Sequence, residues 1–273
     1  MSLTSDISPL IPTNYTLKFI GDGAFGEVYL LIDDDHPDEK KYVVKKVKLS
    51  DATRDRDQNI TELKILTSLD HPRIVPFFGH SQSKYELQLF MGYMRLGSLA
   101  KYIKDNRRLD ITKTKVYTAQ ILEGVSYLHN RQPPIIHRDI KADNVLLEDE
   151  NSLRLTDFGV SKVLTELTNA RTGTGTFNFR APETFKPGTV YDVKADIWSV
   201  GCTVLEMMSG APPYEAVRRT SELIGLISQG ERPDKEFKDC PQDLKHFWDK
   251  CFRLEPSERP SAVELLGDIF LRQ

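Results

Sequence analysis

Cysteine is scarce: Cys202, Cys240 and Cys251 are odd in number and widely spaced. No pair has the spacing of a zinc site, and three thiols make no complete disulfide framework. The chain therefore reads as a reduced, intracellular protein of the cytoplasm. A long hydrophobic run is missing as well. The most apolar stretch, Ile197 to Met208, is too short for a membrane span and follows Asp196 directly. The first fourteen residues are polar, contain Pro9 and Pro12, and lack the apolar centre of a secretory leader. No charge of one sign dominates, since 37 Lys and Arg face 40 Asp and Glu for a formal net charge of −3. That balance excludes a global basic field for nucleic acid or an anionic membrane. Internal repeats and low-complexity tracts are absent too.

What is present is 273 residues, 39% hydrophobic and 28% charged, enough to bury a core in one large domain or two lobes. Residues 1–14 read as a lead-in. From Tyr15 to about Leu89 the pattern favours strands: Tyr15 to Ile20, Val28 to Ile32, Tyr42 to Val47, Ile74 to Phe78 and Leu87 to Phe90. One helix interrupts them, starting near Ser50-Asp51 and carrying Glu62, Leu66 and Leu69 on one stripe. After Met94 the periodicity turns helical over Thr112 to His129, Asp192 to Ser209, Ser221 to Ser228, Gln242 to Phe252 and Ser261 to Phe270. The helix near Asp192 is apolar almost all round and belongs at the centre of a core. The change of character at Gly92 to Gly97 marks a candidate hinge, and a cofactor cleft between lobes is a common arrangement.

The most informative stretch is His137-Arg138-Asp139-Ile140-Lys141-Ala142-Asp143-Asn144, followed by Asp157-Phe158-Gly159. Between them Val145 to Leu147 and Leu153 to Leu155 are apolar runs separated by the polar turn Glu148 to Ser152, a hairpin signal. Acidic residues and an Asn on loops flanking a rigid hairpin suit a base and metal ligands held near one transferring phosphoryl group. Upstream, Gly21-Asp22-Gly23-Ala24-Phe25-Gly26-Glu27-Val28 is a glycine loop between two apparent strands, where backbone N–H groups can approach phosphates. A dinucleotide fold needs a helix after the third glycine, and Val28 to Ile32 reads as strand, which argues against a nicotinamide cofactor. Strand alternation places Val43, Lys45 and Val47 on one face, so Val43 can lie against an adenine while Lys45 reaches phosphate. Taken alone, Lys45 is a solvated lysine beside Lys46 and Lys48, and Glu62 a carboxylate on a helix surface. Only the joint pattern lifts them, since a cleft lysine needs a partner and Glu62 on the following helix is the obvious one.

At these motifs the chain resembles the eukaryotic protein kinases, from about Tyr15 to Phe270. Lys141 resembles the Ser/Thr-specific branch. The phrases LDHPRIV, GYMRLGSL, QILEGVSYLH, HRDIKADNVLL and DIWSVGC are similar to the Sterile-20 and MAP kinase kinase kinase group. The resemblance implies an α+β, two-lobed fold: a small antiparallel β-sheet N-lobe with one main helix over 15–91, a hinge over 92–97, and a larger, mostly helical C-lobe over 98–273. It implies ATP as cofactor, contacted by Gly21, Gly23, Ala24, Phe25, Gly26, Val28, Val43, Lys45, Met91, Gly92, Met94 and Leu146. Met91 would be the gatekeeper, with the backbone of Gly92 and Met94 on the adenine edge. Asp139 would orient the acceptor hydroxyl, Lys141 would neutralise the γ-phosphoryl oxygens, Lys45 would pair with Glu62, and Asn144 with Asp157 would hold Mg²⁺. Asp196 would accept backbone N–H groups of the catalytic loop, and Glu183 of Ala181-Pro182-Glu183 would pair with Arg259.

Arg138 marks, in this family, enzymes whose activation segment is ordered by phosphorylation. The matching segment runs from Asp157 to Glu183. Gly175-Thr176 matches the family's substrate-pocket pair, leaving Thr172 and Thr174, with Thr168 behind them, as phosphosite candidates. The implied partners are a protein substrate, with another kinase of a MAP kinase cascade as the candidate, and an upstream kinase or the chain itself for activation-loop phosphorylation. A monomer or transient dimer is expected, without nucleic acid or a membrane span. Three departures stand out: Val43 for the usual Ala, Gly92 for the usual Glu, which should loosen the hinge, and Phe177-Asn178-Phe179-Arg180 for the usual Pro-x-Tyr-Met. The competing reading is a pseudokinase acting as a nucleotide-binding scaffold, but such chains usually lose the Lys or Asp positions filled here by Lys45, Asp139 and Asp157. A small-molecule kinase is disfavoured by the APE segment.

Overall fold

The computed structural model describes residues 4–23, 26–38, 41–49, 69–157, 174–186, 188, 192–235, 237 and 240–272. Ala24, Phe25, Glu62, Thr168, Thr172 and the helix expected from Ser50-Asp51 lie outside the described residues. The described residues form two compact units that divide in sequence between Met94 and Arg95.

The N-terminal unit is a six-stranded antiparallel sheet of β1 (Thr4–Ile7), β2 (Tyr15–Gly23), β3 (Gly26–Asp33), β4 (Tyr42–Lys48), β5 (Phe77–Gln82) and β6 (Glu86–Gly92), in the order β1-β5-β6-β4-β3-β2. Its two-residue alternation sends Leu31, Tyr42, Val44 and Phe90 into one buried cluster with Ile11. The opposite face of β4 is covered too, since Lys45 and Val47 are both buried. Two expectations need correction. Residues 1–14 are not merely a lead-in, because β1 pairs with β5 from Thr4↔Gln82 to Ile7↔Gly79. The strand expected at Ile74 begins instead at Phe77. Pro76 has no N–H for a ladder, and residues 71–74 form a turn closed by Ile74 N–H donating to the His71 carbonyl at 3.0 Å.

The C-terminal unit opens with β7 (Gly97–Ser98), which joins the hairpin of β8 (Val145–Asp149) and β9 (Ser152–Leu155) in a three-stranded sheet. Its helices are α1 (Leu99–Asn106), α2 (Ile111–His129), α3 (Val193–Ser209), α4 (Thr220–Ser228), α5 (Gln242–Cys251) and α6 (Ala262–Leu266). The sequence reading did not anticipate α1. It spans two turns and buries only Leu99 and Ile103, too short a stripe to register as a period. Ser98 and Asp110 cap α1 and α2 by accepting from Lys101 N–H and Lys113 N–H. α3 is buried without a break from Ala195 to Met207, as its apolar circumference requires. Gly201 lets it lie close to α5, because a Cβ there would sit 2.8 Å from the Cys251 Cβ. The expected helix Ser261 to Phe270 breaks in two. A Ser261/Glu264 capping box starts α6, which stops before Gly267, and Asp268 caps a separate 3-10 turn over Ile269–Leu271. The fold is α+β, with an antiparallel sheet unit followed by a helical one.

Candidate active site

In the C-terminal unit the loop His137–Asn144 is fixed from below by α3. Asp196, 1% exposed, accepts from His137 N–H at 2.8 Å and from Arg138 N–H at 2.9 Å. His129, the last residue of α2, places Nε2 2.8 Å from the same carboxylate. A carboxylate oxygen only accepts, so Nε2 carries the hydrogen. A buried carboxylate needs such donors to offset its lost hydration. His137 is itself buried, and burial pushes its imidazole down from the usual range, against the pull of Asp196 and Asp139. Its Nδ1 accepts from Asp139 N–H at 3.4 Å, a neutral-imidazole role.

Upon this base sit the acidic residue and its holders. Asn144 Nδ2 donates to the Asp139 carbonyl at 2.8 Å and to Asp139 Oδ2 at 2.7 Å. Lys141 Nζ lies 3.2 Å from the same oxygen. Asp139 Oδ1 is buried and has no hydrogen-bond partner among the described residues. One carboxylate oxygen is thus anchored, and the other makes no hydrogen bond among the described residues. Because the Asn144 amide nitrogen is committed to Asp139, its oxygen is the end left for a hard cation. The Asn144 backbone carbonyl accepts from Thr156 N–H at 3.0 Å, which ties Asn144 to the residue before Asp157 at one end of the β8–β9 hairpin. Leu146 lies on that hairpin, paired with Arg154. Arg138 and Asp157 adopt φ values of 71° and 60°. Non-glycine residues in this left-handed region are uncommon and cluster where function over-determines geometry.

The N-terminal unit carries the second set. Gly21, Gly23 and Gly26 lie at the β2–β3 turn, where Gly21 pairs with Val28 and Gly23 with Gly26. A Cβ on Gly26 would come 2.0 Å from the Lys46 carbonyl oxygen, so the third glycine is demanded by close strand approach. Val28 pairs with Lys45, and Val43 pairs with Met91. Lys45 is 3% exposed, not a solvated lysine. Gly92 N–H donates to the Pro76 carbonyl at 2.9 Å. A Cβ there would stand 3.2 Å from Pro76 Cδ and 3.4 Å from Met94 Cε. Glycine at 92 therefore admits a close, bonded approach to Pro76.

The remaining predicted residues form a platform in the C-terminal unit. Glu183 makes a paired salt bridge with Arg259 at 2.6 and 2.8 Å, and the Arg259 guanidinium stacks 5.2 Å over Trp198. The unusual Phe177–Arg180 stretch is tied in. Asn178 Nδ2 donates to the Pro213 carbonyl at 2.5 Å, Ser199 Oγ donates to the Phe179 carbonyl at 2.8 Å, and Arg180 lies 5.1 Å over the Phe177 ring. Thr174 lies in the 3-10 segment Thr174–Phe179.

The family described as "Protein kinase domain" matches residues 15–271. The chain belongs to the protein kinase family. Among curated relatives of this kinase chain, human "Mitogen-activated protein kinase kinase kinase 3" is 36% identical over 274 residues, covering 96% of this chain and 43% of that relative. The Arabidopsis thaliana protein of the same name is 34% identical over 260 residues, covering 93% and 42%. Physcomitrium patens "Mitogen-activated protein kinase kinase kinase 1a" is 34% identical over 258 residues, covering 93% and 33%. The kinase chain therefore spans less than half the length of these relatives. Among its described residues no helix is long and apolar enough to cross a membrane.

Two contributors escaped the sequence reading. His129 ends an ordinary amphipathic helix, and its partner Asp196 is far away in sequence, so no local pattern marks it. Glu206 on α3 is buried, and burial together with nearby Asp143 pushes its carboxyl up to about 7, against a hydrogen bond from Ala142 N–H. Its placement among the apolar residues of α3 was the only available signal.

Proposed function

We propose that this protein kinase is an active Ser/Thr kinase that transfers the ATP γ-phosphoryl group to a protein hydroxyl. The observation that carries the reading is the divided Asp139 carboxylate, with Oδ2 held by Asn144 and Lys141 and Oδ1 buried without a partner among the described residues. An acceptor hydroxyl bonded to Oδ1 is oriented for attack. Its oxygen forms the new bond to the γ-phosphorus as the bond to the departing ADP oxygen breaks, and Oδ1 takes the hydroxyl proton. Lys141 offsets charge that develops on the transferring oxygens. Lys45, on the sheet, holds the nucleotide phosphates, with Glu62 as its partner. The glycine turn, Val28, Val43, Met91, Gly92 and Met94 in the N-terminal unit, and Leu146 in the C-terminal unit, are the candidates for nucleotide contact.

Two hard oxygen donors, Asn144 Oδ1 and the Asp157 carboxylate, fit Mg²⁺, which prefers few protein ligands and phosphate oxygens for the rest. Bound there, the ion would neutralise phosphate charge. The names of the relatives support a place in a MAP kinase cascade, with another kinase as the protein substrate; the few, widely spaced cysteines support a cytoplasmic setting. Residues 15–91, 92–97 and 98–273 serve as N-lobe, hinge and C-lobe. Arg138 supports activation by phosphorylation of Thr172 or Thr174, with Thr168 as the further candidate, performed by an upstream kinase or by a transiently associated second copy. A pseudokinase scaffold is disfavoured, because Lys45, Asp139, Asn144 and Asp157 are all present.

The test is phosphoryl transfer from labelled ATP to a generic Ser/Thr protein substrate, with peptide mapping of the chain's own Thr172 and Thr174. Incorporation on Ser and Thr of the substrate is expected. ATP binding without transfer in every phosphorylation state would establish the scaffold instead.

A further inference from the structure

The residues ahead of Tyr15 do more than extend the sheet. After β1 the chain turns over Ser8–Ile11, closed by Ile11 N–H donating to the Ser8 carbonyl at 3.0 Å. Ser8 N–H donates to the Phe78 carbonyl of β5 at 2.7 Å. Ile11 is 6% exposed and packs with Leu31, Tyr42, Val44 and Phe90, which come from β3, β4 and β6. Next to it the Tyr42 hydroxyl donates to the Leu10 carbonyl at 2.8 Å. The Tyr42 ring meets Phe78 edge-on, with centroids 5.2 Å apart. The segment is thus a strap fastened by backbone bonds at one end and by a buried aliphatic side chain at the other.

Its anchor point is informative. Tyr42 opens β4, pairs with Gly92, and immediately precedes Val43, which pairs with Met91. Val43, Met91 and Gly92 are three of the candidates for nucleotide contact. Alternation along β4 puts Tyr42 and Val44 on the face that the strap covers and Val43 and Lys45 on the other. Packing behind a strand sets where its front side chains stand, because a close-packed interior does not absorb a displaced neighbour.

We infer that residues 4–11 form a positioning strap which acts through Tyr42 to hold Val43 and the Met91–Gly92 end of β6 in register for the nucleotide. The inference rests on the N-terminal unit being the nucleotide binder. The strap packs against Tyr42 and Val44, on the face of β4 opposite Val43 and Lys45. Its loss therefore falls on nucleotide affinity and spares the transfer step.

The test uses the full chain and two readouts, the dissociation constant for ADP by titration and steady-state ATP KM and kcat. Ile11→Ser, which puts a hydroxyl into the apolar cluster, is expected to weaken ADP binding and raise ATP KM by about threefold to tenfold, with kcat within about twofold of wild type. Ile11→Val, keeping most of the apolar volume, is expected to restore wild-type affinity. Tyr42→Phe removes the bond to Leu10 but leaves the ring on Phe78, and an intermediate loss is expected. Lower thermal stability with unchanged ADP affinity in Ile11→Ser overturns the strap, as does a kcat loss at constant KM. If Ile11→Ser does not fold, unchanged ADP affinity in Tyr42→Phe overturns it. A wild type that binds ADP but transfers no phosphoryl refutes the kinase activity, while the strap is still judged on ADP affinity.

Discussion

Asn144 spends its side-chain nitrogen on Asp139, donating to the carbonyl at 2.8 Å and to Oδ2 at 2.7 Å. The residue proposed to ligate the metal is therefore also the one bonded to the proposed base, Asp139. Asn144→Ala removes both bonds and frees the Asp139 rotamer. Asn144→Asp puts a second carboxylate against the first, which the local geometry cannot satisfy. Both variants are expected to lose about 10²-fold or more in kcat. They should keep wild-type thermal unfolding within a few degrees, measured in parallel. Wild-type kcat in Asn144→Ala would contradict the dual role.

His129 tests the support beneath the loop. His129→Leu deprives Asp196 of one donor and leaves the two backbone N–H groups to hold it. The expected outcome is about a tenfold fall in kcat with ATP KM unchanged, and recovery in His129→Gln, whose amide can donate from a similar position. Equal losses in both variants would mean that His129 only fills space.

Much of this arrangement was legible beforehand, and the failures have physical causes. Asp139, Lys141, Asn144 and Asp157 lie within one short stretch, so local spacing betrays them. Asp196 and His129 are 67 positions apart and meet only because α2 and α3 pack together. The apolar circumference of α3 announced its burial, and the strands from Tyr15 onward showed two-residue alternation. β1 did not, because four residues and their flanking prolines give too short a pattern to count. α1 failed for the same reason. Gly267 broke the last expected helix, since a run of apolar residues cannot by itself show where a helix ends.

The Glu183–Arg259 pair is a stability element. Arg259 is fully enclosed, stacks on Trp198, and donates to the Arg253 carbonyl at 2.8 Å besides its two bonds to Glu183. Glu183→Gln leaves a buried guanidinium short of its counter-charge, which costs about 3–5 kcal/mol. Urea unfolding is expected to show a lower midpoint with the slope preserved. A midpoint equal to wild type would contradict the assignment.

Glu206 gives a pH signature. Its carboxyl is raised to about 7 in the folded chain, chiefly by burial, and Glu206 Oε2 has no hydrogen-bond partner among the described residues. A carboxyl raised on folding is held without penalty below its unfolded pKa near 4.5. It costs stability progressively as pH rises through about 7. Glu206→Gln removes that cost. It should raise the melting temperature by about 2–4 °C at high pH, with the gain fading as pH falls toward 5. A gain independent of pH would show that the carboxyl is not the cause.

The central claim is that Asp139 and Lys45 serve one phosphoryl transfer, Asp139 at the acceptor and Lys45 at the nucleotide. The most direct measurement is labelled-phosphate transfer by wild type, Asp139→Asn and Lys45→Met to one protein substrate, with ADP binding measured on the same preparations. The account predicts that wild type transfers and that both variants lose about 10²-fold or more in rate. ADP binding should persist in Asp139→Asn and weaken in Lys45→Met. Equal transfer by all three proteins would contradict it.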